Sequence, residues 1–317
     1  MDVTQIGLWS LLLIGSLYIL LKGVDVVIDS SKKIGVGFGL SPYVIGVMIV
    51  GFGTSLPELA SSIAGVLQGA PEIVIANVVG SNITNILLIV GLMAAIGGTV
   101  IIKKDLLKSE LPIFLIATIH FVLAVYDGVI DKLEALLLLS TFAVYMWYVA
   151  SEGKNEDDMD EVDRNAKLET KQFVYFALGL TALLIGANYT VEMAVNLATA
   201  FMVPIGFVSI VAIAVGTSLP ELIVSLKAIK TGETAMAVGN IFGSNAFNAL
   251  MVTGLPALLA SAPLPADMVV MQLGLAIFAA ASAILFVTAL ARRVMRWEGV
   301  MMLIFFGFFL LKLTQLL

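Results

Sequence analysis

GTSLPEL stands at residues 53–59 inside a long apolar run, and the same seven letters return at residues 216–222. A proline there interrupts helical hydrogen bonding, and a carboxylate in lipid costs at least roughly 3 kcal/mol. One such interruption could be a packing kink. Two copies of the same costly heptamer call for a shared purpose.

The offset of 163 residues that aligns the heptamers aligns more than the heptamers. It carries Asn77 onto Asn240, Gly80-Ser81-Asn82 onto Gly243-Ser244-Asn245, Asn85 onto Asn248 and Gly91 onto Gly254. Gly23 falls on Gly186, and Asp29 on another acidic residue, Glu192. A register held over about 70 residues marks an internal duplication.

The 317 residues are 60% hydrophobic and only 13% charged, with a mean hydropathy of +1.06. Soluble domains carry about a quarter charged residues, so the solvent of this chain is the lipid bilayer. The first apolar stretch, residues 6–21, lacks a basic leader and a small-residue cleavage site and is expected to be a retained helix. Without cysteine, disulfides, thiolate metal sites and cysteine nucleophiles are excluded. His120, the single histidine, lies among apolar residues and is expected to be packed or helix-facing, not a metal or catalytic group. A net charge of −6 argues against nucleic acid as a partner.

Apolar windows of about 20 residues predict ten helices, over 6–28, 41–67, 72–97, 109–126, 130–150, 172–198, 203–229, 235–260, 267–290 and 297–316. This layout puts fourteen of the 17 basic residues on one side, among them Lys32, Lys33, Lys103, Lys104, Lys227, Lys230, Arg292 and Arg293. By the positive-inside rule that side is cytoplasmic and both termini face out. Trp9, Trp147 and Trp297 fall near helix ends, where interfacial aromatics belong. Asp25, Asp29 and Glu192 are read as exposed charges near the ends of helices 1 and 6.

Five helices per copy is an odd number, so the second copy enters the membrane from the opposite side. The expected fold is an all-α integral membrane protein of ten transmembrane helices in two inverted five-helix repeats. Residues 1–150 form the first repeat, 151–171 an acidic cytoplasmic linker, and 172–317 the second repeat. Such pairs place their site near the midplane between repeats. The linker cluster from Glu152 to Asp163 lacks the glycine and alternating ligands of a calcium loop and reads as solvated.

Within each heptamer, Ser55 followed by Glu58 has the form of a capping box that restarts a helix after the break. Carbonyls around Gly51 and Thr54 are expected to lose their helical partners, which is tolerated only beside a polar cavity. Inverted symmetry would bring Glu58 and Glu221 together at mid-depth, where two carboxylates must share a cation or a proton. Ser81 and Asn85 share a helix face, as do Ser244 and Asn248. Asn82 and Asn245 fit interhelical hydrogen bonding as well as ligation. The donor set is all oxygen, which suits hard cations such as Ca2+ or Na+ and not zinc or copper.

GTSLPEL with GSNITN (80–85), and GTSLPEL with GSNAFN (243–248), resemble the paired repeats of the cation/calcium antiporter superfamily, which includes the sodium/calcium exchangers. The likeness extends over nearly the whole chain and implies exchange of Ca2+ for Na+ across the cell membrane by alternating access. It implies Glu58 and Glu221 as central calcium ligands, helped by the carbonyls of Thr54 and Thr217. Flanking sodium sites would use Gly51, Thr54, Ser55 and Ser81 from one half, and Ala214, Thr217, Ser218 and Ser244 from the other. Asn85 and Asn248 would line the centre. Some members have Asp at one of these two positions; both being Asn leaves a cavity charge near −2 and argues against potassium co-transport. The resemblance implies no cofactor and no obligatory protein partner, only the ions and the lipid. A calcium/proton antiporter is the close alternative; potassium-dependent exchange and a cation channel are more distant ones. An intramembrane hydrolase using Ser55 lacks a base, because His120 lies outside both motifs.

Overall fold

In lipid every backbone polar group must find its partner within the chain, and the apolar runs answer with helices. The computed structural model describes residues 3–102, 110–152, 168–202 and 216–316. Among these, α1 is Val3–Gly37, α2 Pro42–Leu67 and α3 Ile73–Gly97. Then come α4, Glu110–Val125; α5, Lys132–Glu152; and α6, Thr170–Ala200. The chain continues with α7, Leu219–Lys230, α8, Thr234–Leu259, α9, Val270–Leu290, and α10, Arg296–Leu316.

Eight of these helices are long and apolar enough to cross a membrane, while the apolar part of α4, Leu111–Val125, is shorter. The protein is a multi-pass membrane protein. Residues 203–215 of the expected 203–229 span lie outside the described residues, as do Lys103, Lys104 and the acidic cluster of the 151–171 linker beyond Glu152.

Two antiparallel strand pairs, each two residues per strand, clasp loops that the helical reading leaves bare. Val100–Ile101 pairs with Arg293–Val294, and Val129–Ile130 with Leu264–Pro265. The first clasp holds the α3 exit beside the α9–α10 turn. A Cβ on Gly97 would meet Ile229 at 2.6 Å, so the end of α7 lies at that face too. The β-clasp residue Arg293 and the C-terminal end of α7 therefore lie at the same end of the bundle.

α1 runs nine residues beyond its expected end, because nothing stops it before Gly39 turns the chain at φ +71°. Asp25, Asp29 and Glu192 consequently lie within α1 and α6, not near helix ends. Asp25 forms an ion pair with Lys227 at 2.7 Å, and Lys32 pairs with Glu233. Both bridges tie α1 to α7 and the α7–α8 turn.

α1 and α6 pack antiparallel at backbone contact. A Cβ on Gly23 would lie 2.5 Å from the Leu183 nitrogen, and one on Gly186 2.6 Å from the Leu20 nitrogen. Ser16 and Thr190 hydrogen-bond farther along the same seam at 3.0 Å. The two glycines matched by the duplication thus face each other's helix.

α2 meets α8 just as tightly. Added Cβ atoms on Gly46, Gly239 and Gly243 would fall 2.3, 2.2 and 2.6 Å from the carbonyl oxygens of Met236, Tyr43 and Val47. Small residues permit such approach where lipid supplies no hydrophobic drive between helices. Among the described residues, nothing lies within 4 Å of a Cβ added to Gly80, the counterpart of Gly243.

That contrast predicts unequal responses to the same methyl group. Gly243→Ala should lower the melting temperature in detergent through overpacking worth about 1–3 kcal/mol. Gly80→Ala should leave it unchanged or raise it, since alanine gains up to about 1 kcal/mol over glycine in a helix. Equal losses at both positions would contradict the asymmetry.

Candidate functional site

The break in α2 comes at Ser55, whose φ −89°, ψ 8° interrupt the helix before it restarts at Leu56 with Pro57 in its first turn. Ser218 takes nearly the same angles, φ −86° and ψ 7°, ahead of α7. Proline is harmless at such a start because its missing N–H has no helical partner there. Glu58 and Glu221 each lie in the first turn of the restarted helix, at the end whose dipole favours an anion.

The expected capping box does not form. Neither Ser55 nor Ser218 makes a side-chain cap. Ser55 Oγ instead donates to Glu221 Oε1 of the other half at 2.9 Å. A hydroxyl donating to a buried carboxylate makes the stronger bond, so the distant acceptor wins over local capping. The Gly51 carbonyl is not freed either. It accepts from Ser55 N at 3.2 Å, from Ser244 Oγ at 3.1 Å and from Thr54 Oγ1 at 3.3 Å.

Each restarted helix is anchored by an asparagine one helix away. Asn77 Nδ2 donates to the Glu58 carbonyl at 3.2 Å and to Ser62 Oγ at 3.1 Å. Asn240 Nδ2 donates to the Glu221 carbonyl at 3.4 Å and to Ser225 Oγ at 2.9 Å. Ser62 and Ser225 went unremarked in the sequence, although the 163-residue offset also matches them.

Hydroxyls then link the halves. Thr54 Oγ1 donates to Asn240 Oδ1 at 3.3 Å, completing a group of Gly51, Thr54, Asn240 and Ser244. On the other side Ser81 Oγ meets Thr217 Oγ1 at 3.2 Å and Asn77 Oδ1 at 3.5 Å. Each group therefore mixes residues of both halves. Ala214 lies outside the described residues.

At the centre, α3 and α8 cross through asparagines. Asn248 Nδ2 donates to Asn82 Oδ1 at 3.2 Å and Asn85 Nδ2 to Asn245 Oδ1 at 3.5 Å. Both helices widen into π-turns here, over Thr84–Val90 and Asn248–Val252. Such turns recur at functional sites; no residue pattern in the sequence marked them.

Glu58 is 1% and Glu221 0% exposed, and the two lie near enough to interact electrostatically. Both Glu58 oxygens, Glu221 Oε2, Asn85 Oδ1, Asn248 Oδ1 and Ser218 Oγ are buried without a hydrogen-bond partner. Buried polar atoms are nearly always satisfied, so this concentration of orphaned oxygens at duplicated positions marks the site chemically. Among the described residues no group of three or more His, Cys, Asp or Glu side chains comes together; the two carboxylates supply the anionic charge.

His120 Nδ1 lies 3.0 Å from Thr141 Oγ1, bonding α4 to α5 away from the motifs. An apolar cleft of about 690 Å³ between α1, α2 and α6 reaches Gly53 and Leu56 but is lined by no ionisable group.

A sequence profile for the family described as sodium/calcium exchanger protein matches residues 8–150 and 171–315. Sodium/calcium exchanger MaX1 of Methanosarcina acetivorans is 32% identical, with 96% of this chain and 97% of that protein covered. Inner membrane protein YrbG of Escherichia coli is 31% identical over 78% of this chain and 79% of its own length. Among solved structures, the sodium-calcium exchanger NCX_Mj soaked with 10 mM Na+ and zero Ca2+ superposes with a TM-score of 0.81. Identity to it is 30%, covering 96% of this chain and 98% of that one.

The unequal hydrogen bonding of the two serines makes a prediction about stability. Ser55→Ala should lower the melting temperature in calcium-free detergent, since stranding a buried acceptor costs about 1–3 kcal/mol. Ser218→Ala breaks no bond in this arrangement and should shift it far less. The reverse order would overturn the assignment.

Proposed function

The chain belongs to the sodium/calcium exchanger protein family, and on that premise we propose that it is a secondary antiporter exchanging Ca2+ for Na+ across the cell membrane by alternating access. The orphaned oxygens of Glu58, Glu221, Asn85 and Asn248 carry the reading. Ca2+ takes 6–8 oxygen ligands, and two carboxylates with amide oxygens offer it a set of matching charge. Glu58 and Glu221 hold the divalent ion. The groups around Gly51, Thr54 and Ser244, and around Thr217 and Ser81, take Na+, with Ser55, Ser218 and Ala214 beside them.

Ten spans in two inverted repeats, divided at the 151–171 linker, account for the antiparallel pairing of α1 with α6. The crossing of α3 and α8 through matched asparagines fits the same arrangement. The basic face is cytoplasmic and both termini lie outside.

Coupling follows from charge. A buried pair of ionised carboxylates without a cation is costly to carry between two open states, whereas Ca2+ or several Na+ offset that charge. Only loaded forms switch readily, and the two ions compete for the same oxygens. A proton on either glutamate would meet the same electrostatic demand, which keeps calcium/proton exchange as the second reading.

Flux in sealed vesicles tests both. Ca2+ uptake should require an outward Na+ gradient, and Glu58→Gln or Glu221→Gln should reduce it to background. Uptake that ignores Na+ and follows a pH gradient would transfer the assignment to the proton exchanger. Uncoupled downhill currents would indicate a channel.

A further inference from the structure

Asn82 and Asn245 are buried motif residues whose amides contact the other half and not the orphaned carboxylate oxygens. Their hydrogen bonds have a direction set by a group that cannot turn round. The Asn245 backbone carbonyl can only accept, so the Asn82 atom 3.2 Å away is Nδ2. Asn82 thereby presents Oδ1 to Asn248, whose facing atom must be the amide nitrogen, at 3.2 Å. Asn248 Oδ1 is left buried and without a donor. The corresponding hold on Asn85 is weaker: its Nδ2 reaches Asn245 Oδ1 at 3.5 Å, and Asn245 Nδ2 has no partner.

We propose that Asn82 is a positioning residue for ion exchange, fixing which end of the Asn248 amide faces the ion. A free amide presents its oxygen or its NH2 group with little intrinsic preference, and the NH2 group repels a cation. A backbone carbonyl, relayed through Asn82, removes that choice and makes Asn248 a dedicated oxygen ligand. Asn85, held through Asn245 alone, turns more freely, so identical letters in the two halves give ligands of unequal stiffness. The proposal rests on the exchange reading above.

The test is a double-mutant cycle on the purified full-length protein, with Ca2+ affinity from titration calorimetry and melting temperature measured without Ca2+. Asn82→Ala should weaken Ca2+ binding about tenfold, the effect of losing one buried hydrogen bond's worth of orientation. Asn248→Ser keeps an oxygen but has no amide to orient, so adding Asn82→Ala to it should bring no further loss. A residue serving only to join helices would give additive losses, or a lower melting temperature with unchanged Ca2+ affinity; either result overturns the proposal. Asn82→Ser keeps a polar group but cannot span both partners, and carries the same cycle if the alanine variant does not fold. Wild-type protein that binds no Ca2+ would overturn the exchange reading and this inference together, whereas wild-type binding with an additive cycle would overturn this inference alone.

Discussion

Two carboxylates buried within electrostatic reach of each other in a membrane protein, with three of their four oxygens making no hydrogen bond, are the constraint around which the rest is arranged. Water cannot reach them to supply hydrogen bonds, and lipid offers none. The helix breaks at Ser55 and Ser218 place each glutamate at a helix start, and Asn77 and Asn240 pin those starts from neighbouring helices. The bundle holds the two charges in place without satisfying them. That is the arrangement expected of a protein whose cargo supplies the missing charge.

The duplicated halves are alike in letters but not in contacts. Ser55 bonds Glu221 while Ser218 has no partner. Among the described residues, Ser244 reaches the Gly51 carbonyl and its counterpart Ser81 a threonine hydroxyl. Gly46 and Gly239 correspond in the duplication to Ser209 and Ala76. The two glycines let α2 touch α8 at the backbone. The ion pairs Asp25–Lys227 and Lys32–Glu233 have no matched charges either, since the offset puts Asn188 and Ala64, and Val195 and Ala70, in their places.

Much of this was legible in the sequence because duplication turns weak signals into strong ones. Glu58 alone is an oddity; Glu58 with Glu221 at one offset is a site. Membrane solvation, the buried glutamates and the central asparagines all followed from residue type and register. Ser55 misled because a capping box is a local rule, while its true acceptor lies 166 residues away and only tertiary packing brings it near. The π-turns at Asn85 and Asn248 and the two-residue strand clasps fall below the length at which hydrophobic periodicity speaks. The extent of α1 was missed because apolarity marks where lipid ends, not where a helix does.

The glycine contact between α2 and α8 also limits how the gene could have been assembled. An alanine at 239 would put its Cβ 2.2 Å from the Tyr43 carbonyl, and alanine is what the first half carries at the matching position 76. A tandem of two identical first halves could therefore not close as this chain does. A single methyl group at one position is enough to make the two copies non-interchangeable.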